Sequence, residues 1–263
     1  MHSRPVASLP GMDQPAHPLR ELADRPEVVE AAEAARAAVD ALLAHRVLRR
    51  QASAVSAESA LRGARASAAL AGEDISLAAL RGLSGAATDD ASRVVLGALR
   101  VSAELVPLAE VWQRAPLQAL ARLHVLAAAD LMPAAELGRP AVAGPRLTGL
   151  AELVTGPAGV PAVVEAAVVH GELLALAPFP CGTGVVARAA SRLVLRCRGL
   201  DPRLFTVPEV GDAESAERYT QVADGYRSGS VTGVIEWVVH CAQALQTGVR
   251  EATAICEALL RSA

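Results

Sequence analysis

The residues of this chain whose types and order could do chemistry are concentrated in one stretch, Ala177-Pro178-Phe179-Pro180-Cys181-Gly182-Thr183-Gly184-Val185-Val186-Ala187-Arg188. The apolar run before it reads as a helix, the two prolines force the backbone extended, and Gly-Thr-Gly delivers it into a second helix. Glycines at a helix start let backbone N–H groups face an anion, and the helix dipole adds positive potential there. Arg188, one turn on, can reach the same point. Gly182, Thr183, Gly184 and Arg188 therefore read as an anion or phosphate cradle. The bland alternatives are a tight helix–helix connection and, for Arg188, an internal ion pair with Glu73 or Asp74.

Other candidates carry less. Cys181 precedes the second helix, where a thiol pKa can fall and a nucleophile can form, but no sequence neighbour supplies a base or an orienting acid. His170 lies about 10.5 Å before Ala177 along a helix, sharing its face but not its reach, and reads as a core or loop-contact residue. His240 and Cys241 adjoin each other without the paired spacing of a metal site, so no metal ligands are assigned. Gly182-Thr183-Gly184-Val185-Val186-Ala187 also fits the dinucleotide fingerprint Gly-x-Gly-x-x-Gly/Ala, with Asp201 about 20 residues on. An NAD(P)-dependent oxidoreductase is thus a minor alternative. It needs a strand directly before Gly182, where Pro178 and Pro180 oppose pairing.

The elements that must position these residues are helical almost throughout. The spacing predicts helices over residues 26–50, 56–71, 77–83, 89–114, 116–132, 161–177, 184–198, 213–226, 231–245 and 248–261, with Gly72 capping the second. Residues 137–161 are rich in Gly and Pro and read as the longest irregular segment, the natural place for a functional loop. Residues 1–22, with Pro5, Pro10, Pro15 and Pro18, read as a disordered leader, 23–90 as an N-terminal helical region and 91–263 as a helical core. The fold class is mainly α.

Composition narrows the function further. The chain has 263 residues, 52% of them hydrophobic and only 2% aromatic, enough to bury a sizeable core. Its net charge of −3 argues against a nucleic-acid binder that relies on broad phosphate contacts. All 25 basic residues are Arg and Asn is absent, the mark of a GC-rich coding sequence. Schiff-base and P-loop lysines are thereby excluded. No apolar run is long enough to span a membrane, and four widely spaced cysteines suit a reducing cytoplasm. Ala-rich helices allow close approach, so a homodimer is compatible with the sequence.

The turn from Ala177 to Arg188 resembles the signature of Fic (Fido-domain) proteins, His-Pro-Phe-x-Asp/Glu-Gly-Asn-Gly-Arg-x-x-Arg. Pro178, Phe179, Gly182, Gly184 and Arg188 match it. Upstream, Ala166-Ala167-Val168-Val169-His170-Gly171-Glu172-Leu173 is similar to the helix entering that motif. Downstream, Leu193-Val194-Leu195 and Gly199-Leu200 are similar to its exit, while Tyr219, Gly225-Tyr226 and Trp237 sit where Fic domains often carry a Tyr and a Trp. Ser67-Ala68-Ala69-Leu70-Ala71-Gly72 resembles the Ser-x-x-x-Glu-Gly end of the inhibitory helix that precedes many of them. The resemblance implies a Fic/Fido-like helical bundle with an N-terminal helical extension. Most active members of that family transfer AMP from ATP to a hydroxyl of a target protein, and some remove it.

This copy departs from the pattern where the chemistry lies. The resemblance places a general base at Ala177, a Mg²⁺-holding carboxylate at Cys181, the cradle Asn at Thr183 and the first Arg at Val185. It places the inhibitory Glu, which pairs with the motif's last Arg, at Ala71. Losing a general base alone costs about 10²–10⁴-fold in rate, and losing the metal and an Arg clamp removes more. The implied protein is a degenerate Fic domain without AMP-transferase activity, a binding or regulatory module for a protein partner. It keeps nucleotide or phosphate affinity at Gly182, Thr183, Gly184 and Arg188, with ATP as a conceivable ligand and Mg²⁺ poorly held. A divergent but active nucleotidyltransferase is the alternative.

Overall fold

A computed structural model describes residues 17–83, 89–142 and 144–262. Twelve α-helices and no strand occur among these residues: α1 Arg20–Ala23, α2 Pro26–Leu43, α3 Leu48–Ala69, α4 Leu77–Gly82, α5 Asp90–Arg114, α6 Pro116–Ala128, α7 Pro145–Thr155, α8 Ala162–Leu176, α9 Thr183–Cys197, α10 Pro208–Glu214, α11 Ala216–Arg227 and α12 Val231–Arg261. The expected mainly helical class holds. Most of the expected leader lies outside the described residues, although α1 falls within its span.

The helices start where local chemistry says they should. Pro26, Pro116, Pro145 and Pro208 each open a helix, where their missing N–H costs nothing. Asp89 caps α5 by accepting from the Ser92 N–H at 2.8 Å, and Ser76 caps α4 from the Ala79 N–H at 3.1 Å. At the end of α3, Gly72 takes φ +99°. Its N–H bonds the Ala69 carbonyl and that of Glu73 bonds Ala68, both at 3.0 Å. That paired closure is what the glycine at 72 permits.

Four boundaries differ from the sequence expectation. An added break falls at residues 44–47, where the His45 ring accepts from the Val47 N–H, and α3 is kinked at Gln51 (φ −123°), next to the expected end of the first helix at residue 50. Residues 137–161 are not wholly irregular: Leu147, Leu150 and Val154 recur at helical spacing and bury one side of α7. Pro208 starts α10 instead of extending a loop. Finally, α12 runs unbroken through Gly248. A side chain there would sit 2.4 Å from the Val207 carbonyl carbon, so this glycine serves a close backbone approach and not a helix end.

The α8–α9 pair forms the centre. Helix α8 is apolar around its whole circumference and buried on nearly every side, the mark of a fully enclosed helix. Helices α5 and α6 cover α9, α11 and α12 cover α8, α10 bridges α12 and α3, and α2 packs along α12. Glu165 inside α8 pairs with Arg198 just past α9 at 2.8 Å, and Arg198 also donates to the Gly156 carbonyl. No helix among the described residues is long and apolar enough to cross a membrane.

Candidate functional site

The α8–α9 connection is built from the backbone outward. Ala177 ends α8 in the left-handed region (φ 42°, ψ 59°), its N–H closing onto the Leu173 carbonyl at 3.0 Å. The carbonyl of Pro178 accepts from the Ala141 N–H at 2.8 Å, tying the turn to the segment before α7. Phe179 is buried and stacks flat on His124 of α6, with ring centres 4.2 Å apart. His124 Nδ1 accepts from the Gly138 N–H at 2.9 Å, and burial holds its pKa below the usual histidine value. Pro178 and Phe179 therefore anchor the turn to α6 and to residues 138–142.

Gly182 enters α9 with φ 68°, and the Thr183 hydroxyl donates to the Phe179 carbonyl at 3.0 Å. No side chain caps this end of α9. Its first-turn N–H groups thus lack side-chain acceptors, as an anion cradle requires. Cys181 points its sulfur at Met132, 3.8 Å away, and burial raises its pKa. That shift disfavours the thiolate a nucleophile needs. The same thiol is a poor ligand for Mg²⁺, which wants oxygen. No group of three or more His, Cys, Asp or Glu that could hold a metal occurs among the described residues.

Arg188 lies inside the protein. It is 4% exposed. Its Nε donates to the Ser67 hydroxyl at 2.9 Å, one terminal nitrogen to the Ser67 carbonyl at 2.9 Å, and the other to the Tyr219 hydroxyl at 3.2 Å. The expected ion pair with Glu73 or Asp74 is not formed; Asp74 pairs with Arg65 at 3.0 Å instead. The reason is geometric: Gly72 turns the chain outward, leaving Ser67 one turn back as the α3 residue that reaches α9. Ala71 at the turn has no side chain able to bond. Gly184 also has a packing duty, because a Cβ there would stand 3.1 Å from the Arg188 guanidinium. That guanidinium lies behind the first turn of α9 and adds positive potential to it.

The hydroxyl of Tyr219 accepts from Arg188 and lies 3.0 Å from His170 Nε2, with which it shares a hydrogen bond. Burial, with Arg188 and His240 adding to it, pushes the His170 pKa down to about 4, against an opposing pull from Asp212. Next to this group His240 bonds Asp212 at 3.1 Å, and the Trp237 indole donates to the Ala167 carbonyl at 2.7 Å. Gly171 makes room for that indole: a Cβ there would lie 2.8 Å from Trp237 Nε1 and 2.9 Å from the Tyr226 ring. A cavity of about 20 Å³ adjoins His170, Arg188, Ser191, Glu209 and Asp212. It has room for a water molecule and none for a nucleotide.

The structure thus brings Ser67 and Arg188 together, a pairing the sequence reading did not anticipate, and leaves Ala177, Cys181 and Val185 in the turn and first helical residues outside that network. Sequence reasoning missed Asp212, Glu209 and Arg192. One signal was present: Arg188 and Arg192 stand four apart on α9 with apolar residues on either side, although Arg196 continues the same spacing out to the exposed end. The dinucleotide alternative is overturned, because helix α8 and an irregular turn, not a strand, precede Gly182.

No protein-family model matches the chain, and no curated protein matches it. Solved structures do. A 134–508 fragment of Fic-1 from C. elegans superposes with a TM-score of 0.67 at 15% identity, over 89% of this chain and 73% of that fragment. A Fic family protein from Desulfovibrio desulfuricans G20 gives 0.65 at 22% identity, over 88% and 75%. A point-substituted form of the nematode protein gives 0.63 at 17%, over 90% and 74%. The chain has the Fic/Fido fold.

Proposed function

We propose that this protein is a Fic-fold binding or regulatory module that does not transfer AMP, and that it acts on a protein partner in the cytoplasm. The observation that supports this most strongly is Ala177, a methyl group where an active Fic turn needs a proton acceptor. No neighbour substitutes for it. His170 is buried, neutral and bonded to Tyr219, while His124 is sealed beneath Phe179. Without a base the rate falls by about 10²–10⁴-fold, and Cys181 in the metal-binding position lowers it again.

Residual anion affinity is the part of the old site we expect to persist. The uncapped start of α9, the left-handed Gly182 and the guanidinium behind Gly184 together suit a phosphate, held without a well-bound Mg²⁺. The four free cysteines accord with a reducing compartment.

Labelled ATP with Mg²⁺ and a proteome extract tests the reading. The expected outcome is no incorporation above that of the heat-inactivated protein, and robust Mg²⁺-dependent labelling overturns it. Calorimetric titration with ATP in EDTA then separates a phosphate-binding module, which releases or takes up heat, from a pure protein-interaction module, which stays silent.

A further inference from the structure

We propose that residues 138–142 form a strap across the α8–α9 turn that acid releases, with His124 as its latch. The strap is held by atoms distant in the sequence. At one end the Gly138 N–H donates to His124 Nδ1 at 2.9 Å. At the other the N–H groups of Ala141 and Val142 donate to the Pro178 carbonyl at 2.8 and 3.4 Å. Just beyond, Arg146 in the first turn of α7 grips both carboxylate oxygens of Glu172 on α8, at 2.9 and 3.0 Å. The Tyr226 hydroxyl donates to the same carboxylate at 2.9 Å. The α7 side is thus fixed by an ion pair, whereas the Gly138 side depends on one imidazole nitrogen.

Only the neutral ring can close this latch. A backbone N–H can only donate, so Nδ1 must carry no proton, and the single proton of the neutral ring sits on Nε2. His124 is wholly buried, lies flat on Phe179, and its Nε2 has no hydrogen-bond partner among the described residues. One donor is therefore left unmet inside the protein, a costly arrangement for a ring whose polar contact is the bond to Gly138. Gly138 itself is closely seated on α6. It takes φ +72°, and a Cβ there would lie 3.0 Å from Val125 Cγ2 and 3.2 Å from the Ala121 carbonyl oxygen.

Protonation of Nδ1 turns the acceptor into a donor that faces the Gly138 N–H. It also creates a charge that no carboxylate of the described residues offsets, because the charged groups of the surrounding elements are engaged elsewhere. Between α5 and α6, Arg100 pairs with Asp130 and Arg122 with Glu104. Arg146 of α7 pairs with Glu172 of α8, and Arg188 of α9 turns to Ser67 and Tyr219. On the turn Cys181 faces Met132, while Glu136 and Arg139 beside Gly138 are exposed. Burial alone acts on the ring and holds its pKa below the ordinary value of 6.5. The latch is closed at neutral pH and opens as pH falls below that value. Opening loosens the N–H groups of Ala141 and Val142 from the Pro178 carbonyl, while Arg146 keeps α7 in place.

Amide hydrogen exchange on the full chain, read by NMR at pH 7 and pH 5 and corrected for intrinsic rates, tests the proposal. Protection of Gly138 and Ala141 is expected to fall about tenfold at pH 5, in step with the His124 ring signals, while α8 stays protected. His124→Asn keeps an acceptor near the Nδ1 position that does not titrate, so protection should persist at pH 5. His124→Phe keeps an aromatic ring against Phe179 without the acceptor, so protection should be low at both pH values. His170→Gln should behave as the wild type, and circular dichroism confirms that each variant folds. Protection of the strap that is equal at pH 7 and pH 5 overturns the proposal. So does a wild-type loss in His124→Asn, wild-type protection in His124→Phe, or a response abolished by His170→Gln. No step uses ATP, so this inference and the proposed function fail separately.

Discussion

The outer and inner halves of the α8–α9 region use polarity in opposite ways. On the outside, Ala177, Pro180, Cys181 and Gly182 form a turn with no group able to accept a proton near neutrality. One turn deeper, Arg188, Tyr219 and His170 form an unbroken chain of donors and acceptors that begins at Ser67 on α3. Surface polarity is cheap, and buried polarity is costly unless every group is bonded. The chain therefore carries these expensive groups where they join four helices, α3, α8, α9 and α11. Pro178, Phe179 and the inward Arg188 hold the backbone form of the turn from behind.

Breaking the inner half should have the largest effect. Arg188→Met removes three hydrogen bonds at once and strands the Ser67 carbonyl, so urea unfolding at pH 7 should show a loss of about 3 kcal/mol. A loss below about 1 kcal/mol would place the guanidinium in solvent. Titrating the inner half comes next. His170 has a folded pKa near 4, below its ordinary value of 6.5, so the unfolded chain binds the extra proton between those two values. Stability is then full above pH 6.5 and falls as pH drops towards 4, at about 1.4 kcal/mol per pH unit from this group. His170→Gln should flatten that slope across pH 4–6.5, and a profile as steep as the wild type would show that His170 is not the group responsible. The outer half offers the smallest and opposite effect. Ala177 holds φ 42°, a conformation that disfavours a side chain, so Ala177→Gly should raise stability by about 0.5 kcal/mol. Any destabilisation there would indicate that the methyl group has a packing role.

Much of this architecture was legible because its signals are local. Proline at a helix start, the Gly72 closure, the Asp89 and Ser76 caps and the doubly proline-braced turn each act within a few residues. Local chemistry also shows that Ala177, Cys181, Thr183 and Val185 supply no imidazole, carboxylate or guanidinium in any fold. What local reasoning misplaced were the features set by distant neighbours. Gly248 reads as a helix end until Val207 is found packed against it, and residues 145–155 read as loop until α5, α6 and α8 supply a surface for Leu147, Leu150 and Val154.

The same division holds for the site. Sequence by itself determined which atoms the turn carries, and so that the Ala177 methyl can accept no proton. Which partner Arg188 would choose, and that His170 stays neutral, were decided by tertiary structure. Those outcomes depend on distances between residues far apart in the chain, where burial sets the energy.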